Sequence, residues 1–171
     1  RVAQANAERL GFQLRWAQGP WLAAVTGERF DLIVSNPPYI AEGDPHLSAL
    51  RHEPLSALTA GADGLDDLRT LINQAPDRLS TGGWLLLEHG HDQAPAVRAL
   101  LSQAGFAEVN SRKDLADIER CSGGRWREQI NLVLRLLAVR FECGQRVSGV
   151  LHHGPGHPGQ ARHLHAVAAA G

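Results

Sequence analysis

The sequence has no methionine, and its 171 residues include only two cysteines, one tyrosine and four phenylalanines. Cys121 and Cys143 are too few and too ill-spaced for a disulfide framework or a cysteine-based zinc site. A reducing, cytoplasmic setting is therefore expected. No apolar run reaches the roughly 18 residues that a membrane span needs, and the first residues lack the layout of a secretory signal. An excess of one charge is missing as well. Seventeen Lys and Arg against eighteen Asp and Glu leave a formal charge of −1, so no bulk positive field recruits nucleic acid through counterion release. A hydrophobic fraction of 43% against 20% charged residues is the balance of an ordinary globular domain with a core of its own.

Along the chain, apolar periods point to alternating helices and strands. Val2, Ala5, Arg9 and Leu10 form a crude helical stripe closed by Gly11. No capping residue precedes the stripe, so the sequence reads as one that has lost its beginning. Phe12 to Trp16 alternates apolar and polar residues, as a half-buried strand does. Trp21 to Val25 is a short apolar segment. Phe30-Asp-Leu-Ile-Val34 is a near-continuous apolar run, which predicts a parallel strand covered on both faces. Residues 41 to 62 read as loop. Asp63-Gly64 offers a cap for a helix carrying Leu65, Leu68, Leu71, Ile72, Ala75 and Leu79, which Pro76 should kink or shorten. Gly82-Gly83 is expected to end that unit. A strand over Trp84 to Leu87, a helix over Ala94 to Ala104 and a strand over Phe106 to Ser111 follow. This alternation predicts an α/β protein with a parallel sheet. From residue 127 the composition turns rich in His, Gly and Pro, and residues 127–171 are expected to be a disordered tail. Its histidines have no Cys or carboxylate partners at ligand spacing, so no metal site is expected.

The chemistry is carried by Asn36-Pro37-Pro38-Tyr39, directly after the buried strand. Ligands of open α/β sheets bind beyond the carboxyl ends of the strands. The prolines stiffen the backbone there and bias Asn36 toward an extended conformation. A planar amide or amine nitrogen is a poor nucleophile because its lone pair is delocalised. A site can help by accepting both N–H hydrogens through fixed oxygens, here the Asn36 side chain and the Pro37 carbonyl. The flat ring of Tyr39 can pack on the substrate. Taken alone, the tetrapeptide is also a rigid turn; its place behind a buried strand favours the chemical reading.

Phe30-Asp-Leu-Ile-Val-Ser-Asn-Pro-Pro-Tyr-Ile40 resembles the strand-4 motif of class I methyltransferases that act on planar nitrogen. The text after it is more specific. Glu42-Gly-Asp-Pro-His-Leu47, Arg51-His-Glu-Pro-Leu-Ser-Ala-Leu58, Gly61-Ala-Asp-Gly-Leu65 and Gly82-Gly-Trp-Leu-Leu-Leu-Glu-His-Gly90 resemble the HemK/PrmC family of release factor glutamine N5-methyltransferases. Asp114 to Trp126, with Glu119-Arg120 and Gly123-Gly-Arg-Trp126, continues the likeness over residues 1–126. The resemblance implies a Rossmann-like class I fold with its first two strands missing before Arg1, and S-adenosyl-L-methionine as cofactor. It implies peptide chain release factors as protein substrates, methylated on the glutamine of their Gly-Gly-Gln motif. Asn36, Pro37, Pro38 and Tyr39 would hold the glutamine amide, with Asn36, Pro37 and Tyr39 as the catalytic set; Trp21 and Asn36 would contact the cofactor. Arg51 and Glu53 would shape the substrate entrance or form a surface ion pair. Glu88 and His89 sit at another strand end, with no catalytic role expected. The family's glycine-rich turn, ribose-binding acid and amino-terminal helical domain are not seen in this sequence. No membrane or nucleic-acid partner is expected. A nucleic-acid N-methyltransferase and a non-catalytic remnant are the alternative readings.

Overall fold

In the computed structural model, which describes residues 2–127, the hydrophobic periods resolve into three α-helices and four strands joined by short 3-10 turns. The expected tail, with its apolar stretch at 130–139 and its His-rich tract, lies outside the described residues. Helix α1 (Val2–Arg9) ends where Gly11 adopts φ +75°, and it buries only Ala7. Strand β1 (Phe30–Ser35) is followed, after a long loop, by α2 (Asp66–Gln74), β2 (Leu79–Glu88), α3 (Ala94–Gln103), β3 (Ala107–Lys113) and β4 (Glu119–Arg125).

The sheet order is β1-β2-β4-β3. Only β1 and β2 run parallel; β4 is antiparallel to both β2 and β3. The expected all-parallel sheet is therefore corrected to a mixed one. The missed element is β4, Glu-Arg-Cys-Ser-Gly-Gly-Arg, whose composition carries little strand propensity. Its glycines explain why it still occupies the middle of the sheet. A Cβ at Gly123 would stand 2.6 Å from the Leu85 carbonyl and 2.5 Å from Leu86 Cδ2, and one at Gly124 would stand 2.8 Å from Phe106 Cβ. Neighbouring atoms fill the space a side chain would need.

Helices α2 and α3 supply the core. Leu68, Leu71 and Ile72 of α2 and Val97 and Leu101 of α3 pack with Leu85 and Leu87 of β2, all essentially inaccessible. Burying each such side chain contributes about 1.5–3 kcal/mol. Asp63 starts the α2 segment by accepting from the Leu65 N–H at 3.1 Å. The helix ends earlier than its leucine spacing suggests: Pro76 falls in the 3-10 turn Ala75–Asp77, and Leu79 opens β2. Gly82-Gly83 does not end a unit but lies inside β2, where the register with β1 shifts and Gly82 takes φ +86°.

Two expectations near the start of the chain fail. Phe12 to Trp16 is not a strand; it has no ladder partner among the described residues, and Phe12 stays 62% exposed. Alternation alone cannot make a strand without a neighbour to share its hydrogen bonds. Strand β1 is not covered on both faces either. Phe30 and Ile33 are buried, whereas Leu32 is 37% and Val34 61% exposed, so one face of β1 has no layer packed on it among the described residues. No helix among the described residues is long and apolar enough to cross a membrane.

Candidate functional site

Parallel pairing of Val34 with Leu86 and of Ser35 with Leu87 brings the carboxyl ends of β1 and β2 to one edge of the sheet. Asn36-Pro37-Pro38-Tyr39 leaves the sheet at that edge, where α/β proteins bind ligands. Pro37 is buried, Pro38 and Tyr39 are half-buried, and Asn36 is exposed. All four line a cavity of about 320 Å³, together with Ile40, Leu50, Glu53, Ala57 and Leu58. Among the described residues, no hydrogen bond engages the Asn36 side chain or the Pro37 carbonyl. These oxygens are not consumed by the fold.

The loop after Tyr39 closes the outer wall. Ile40 forms a parallel bridge with Thr59. The Ile40 N–H donates to the Leu58 carbonyl at 2.9 Å, and the Ala60 N–H donates back to Ile40 at 3.0 Å. Residues 41–60 thus return to their starting point and present Leu50, Ala57 and Leu58 to the cavity. No sequence periodicity marks these apolar residues, because they come from two 3-10 turns, Pro45–Leu50 and Leu55–Ala57, and from Leu58 just after the second. Glu53 is the one carboxylate on the lining. No ion pair joins it to Arg51 among the described residues, so the surface-pair alternative for these two is not realised.

Tyr39 is held at both ends. Gln93, just before α3, donates from Nε2 to the Tyr39 carbonyl at 2.9 Å, while its Oε1 accepts from the Gly90 N–H at 2.8 Å. One side chain therefore ties the turn after β1 to the turn after β2. Gly64 makes room for this junction: it has φ +72°, and a Cβ there would lie 2.4 Å from the Tyr39 carbonyl and 2.9 Å from Gln93 Nε2. At the other end, Arg120 Nη2 donates to the Tyr39 hydroxyl at 3.0 Å, with its guanidinium carbon 5.4 Å from the ring centroid. Nothing in the local sequence around Gln93 points to its role. Arg120 is marked only by its place in the family-like stretch.

The loop that carries Gly64 is braced electrostatically. Arg69 hydrogen-bonds Asp63 and Asp66, and its guanidinium, the largest influence, holds the Asp63 carboxyl down to about 2. Behind the site, His89 is fully buried. Its Nδ1 lies 2.8 Å from the Gly90 carbonyl, which can only accept, so Nδ1 carries a proton. Nε2 hydrogen-bonds the Ser122 hydroxyl at 2.7 Å, Ser122 contacts Ser111 at 2.7 Å, and Arg98 donates to Ser111 at 2.6 Å. These groups satisfy one another beneath the sheet's end and do not line the cavity. Among the described residues, no cluster of His, Cys, Asp or Glu is placed to hold a metal ion.

Trp21 is also absent from the cavity lining. It opens the 3-10 turn Trp21–Val25 with φ +50°, packs half-buried against the core, and donates its indole N–H to Asp67 at 2.9 Å. A non-glycine residue with positive φ is a strained one that its surroundings must hold in place.

The mixed sheet, with helices on its face and this turn at its edge, is a class I methyltransferase fold. A methyltransferase from Pyrococcus furiosus superposes on 72% of this chain and 55% of its own, with a TM-score of 0.52 at 19% identity. By sequence, the chain is a homologue of the release factor glutamine methyltransferases. That of Bordetella pertussis is 56% identical over 126 residues, and that of Pseudomonas aeruginosa 50% over 128. These alignments cover 72% and 73% of this chain but 47% and 46% of the relatives, so the chain spans about half the length of the curated relatives it matches. No family model matches the chain.

Proposed function

We propose that this chain forms the nucleophile-binding half of a protein-glutamine N5-methyltransferase. Its substrate is the glutamine of the Gly-Gly-Gln motif in peptide chain release factors, and its methyl donor is S-adenosyl-L-methionine. The observation that carries the reading is that Asn36 and Pro37, whose side-chain and backbone oxygens make no hydrogen bond among the described residues, line a cavity at the carboxyl end of a parallel strand. The likeness to release factor glutamine methyltransferases supports it.

A primary amide entering the cavity would donate one N–H to each of those oxygens. The two proline rings keep the acceptors stiff, so little reorganisation is needed as charge develops. Tyr39 offers its ring to the flat face of the amide, while Leu50, Ala57 and Leu58 cover the aliphatic part and exclude water. Bound S-adenosyl-L-methionine supplies an electrophilic sulfonium methyl group. Methylation places positive charge on the nitrogen, and the Asn36 and Pro37 oxygens stabilise it through the hydrogens they already hold. Orientation of this kind lowers barriers by as much as about 7–11 kcal/mol in favourable systems. No base is required before transfer; afterwards the nitrogen gives up one of its hydrogens as a proton, to solvent or to the Glu53 carboxylate on the lining, which leaves a neutral N-methyl amide.

Of the two residues expected to contact the cofactor, Asn36 lines the cavity and Trp21 does not. The exposed, unbonded Asn36 amide and the Trp21 ring lie in segments flanking β1; Trp21 has already committed its N–H to Asp67, so only its ring is available. The test is transfer of labelled methyl from S-adenosyl-L-methionine by the full-length protein. Label on a release factor, lost when its Gly-Gly-Gln glutamine is replaced, is the expected result. Label on DNA or RNA instead, or on no substrate, overturns the reading.

A further inference from the structure

We propose that Arg120 is a positioning residue that acts through Tyr39: it locks the tyrosine ring as a fixed wall of the cavity, so that a residue of β4 sets how the substrate amide is presented. The proposal rests on the functional reading above and extends it to a residue that does not line the cavity.

The backbone of Arg120 is itself immobilised. Its carbonyl accepts from the His89 N–H at 3.0 Å, and the adjoining Cys121 pairs with Glu88 at the end of β2. From that anchor the side chain reaches the phenol oxygen at 3.0 Å while its guanidinium carbon stays 5.4 Å from the ring centroid. A donor at the ring's tip and a cation near its face together restrict both ring rotation and side-chain swing. Charge pairing elsewhere leaves Arg120 available for this. Arg15, Arg69, Arg98, Arg125 and Arg127 each face a carboxylate. Arg120 has none among the described residues, and its neighbour Glu119 is engaged with Arg98 at 3.0 Å. Among the described residues, the one hydrogen bond that its guanidinium makes goes to Tyr39. Because Tyr39 is also tethered through its carbonyl by Gln93, Arg120 controls the remaining freedom, that of the ring.

The experiment is a double-mutant cycle in the full-length protein. Arg120→Met keeps an unbranched apolar stem and removes the donor and charge; Arg120→Lys restores both in part. A lost hydrogen bond to a charged group corresponds to about a tenfold or larger drop in kcat/KM, expected in kcat more than in KM, with partial rescue by lysine. In the Tyr39→Phe background, Arg120→Met is expected to cost clearly less than in the wild type, since the hydroxyl is gone and only the cation–ring contact is left to lose. An undiminished loss in that background, or wild-type activity of Arg120→Met alone, overturns the proposal. A second readout needs no turnover. With fluorotyrosine labelling, the ¹⁹F line missing from Tyr39→Phe belongs to Tyr39, and Arg120→Met should shift or broaden it. An unmoved line overturns the proposal, whereas a protein that methylates no release factor yet shows the shifted line overturns only the functional reading.

Discussion

Gly64→Ala tests whether the junction behind Tyr39 is as tight as its geometry indicates. Two costs are expected, and they can be separated. The first is conformational: at φ +72° an alanine Cβ crowds its own backbone, at about 1–2 kcal/mol. The second is local to the site. The new Cβ would lie 2.4 Å from the Tyr39 carbonyl, so that carbonyl must retreat by roughly half an ångström or more to reach ordinary contact. Its hydrogen bond from Gln93, at 2.9 Å, then stretches or breaks, which adds about 1 kcal/mol. Gly43 is the control. It has φ +83° but nothing within 4 Å of a built Cβ, so Gly43→Ala carries the first cost alone. Urea unfolding of both variants in the full-length protein should show Gly64→Ala as the less stable. Methyl transfer should fall by about tenfold or more in Gly64→Ala only, since displacements near 1 Å at a reacting group cost up to about a hundredfold. Equal losses of stability and of activity in the two variants would refute the reasoning.

Three further outcomes follow from the same coordinates. Asn36→Ala should lower kcat by about a hundredfold or more, the scale of one lost rigid hydrogen-bonding group, with an unchanged melting temperature because the side chain is exposed and unbonded; activity near wild type would remove Asn36 from the mechanism. Ser122→Ala should destabilise by about 1–3 kcal/mol, because the buried Nε2 of His89 loses its partner; a change within error in chemical denaturation would show that the bond contributes nothing. The Asp63 carboxyl, held near 2 by Arg69, adds stability that is present above its unfolded value of about 3.9 and is lost as pH falls toward 2. The melting-temperature gap between wild type and Asp63→Asn should therefore be full at about pH 6 and close as the medium is acidified through that window; a constant gap would mean that the Arg69 pair is not its source.

Local chemistry written in consecutive residues was legible without coordinates. The run Phe30 to Val34 ended by Asn36-Pro37-Pro38-Tyr39 announced both a strand and the stiff turn at its end, because prolines and β-branched residues act on their own backbone. The leucine spacing of α2 and the apolar face of α3 were equally direct, since helical periodicity is a property of neighbours in sequence. Apolar alternation at Phe12 to Trp16 misled for the complementary reason: a strand exists only with a partner, and pairing is not written locally.

The sequence by itself determined which segments prefer helix or strand, and that a stiff Asn-Pro-Pro-Tyr turn follows one of the strands. Tertiary structure alone decided that β4 enters between β2 and β3, that the apolar residues of two short turns wall the cavity, and that Gln93 and Arg120 hold Tyr39 from opposite ends. Gln93 stands 54 positions and Arg120 81 positions from Tyr39 along the chain. Propensities and periods act over a few residues, whereas contacts at that separation are made only when burial of the leucine core brings distant strands to one edge of the sheet.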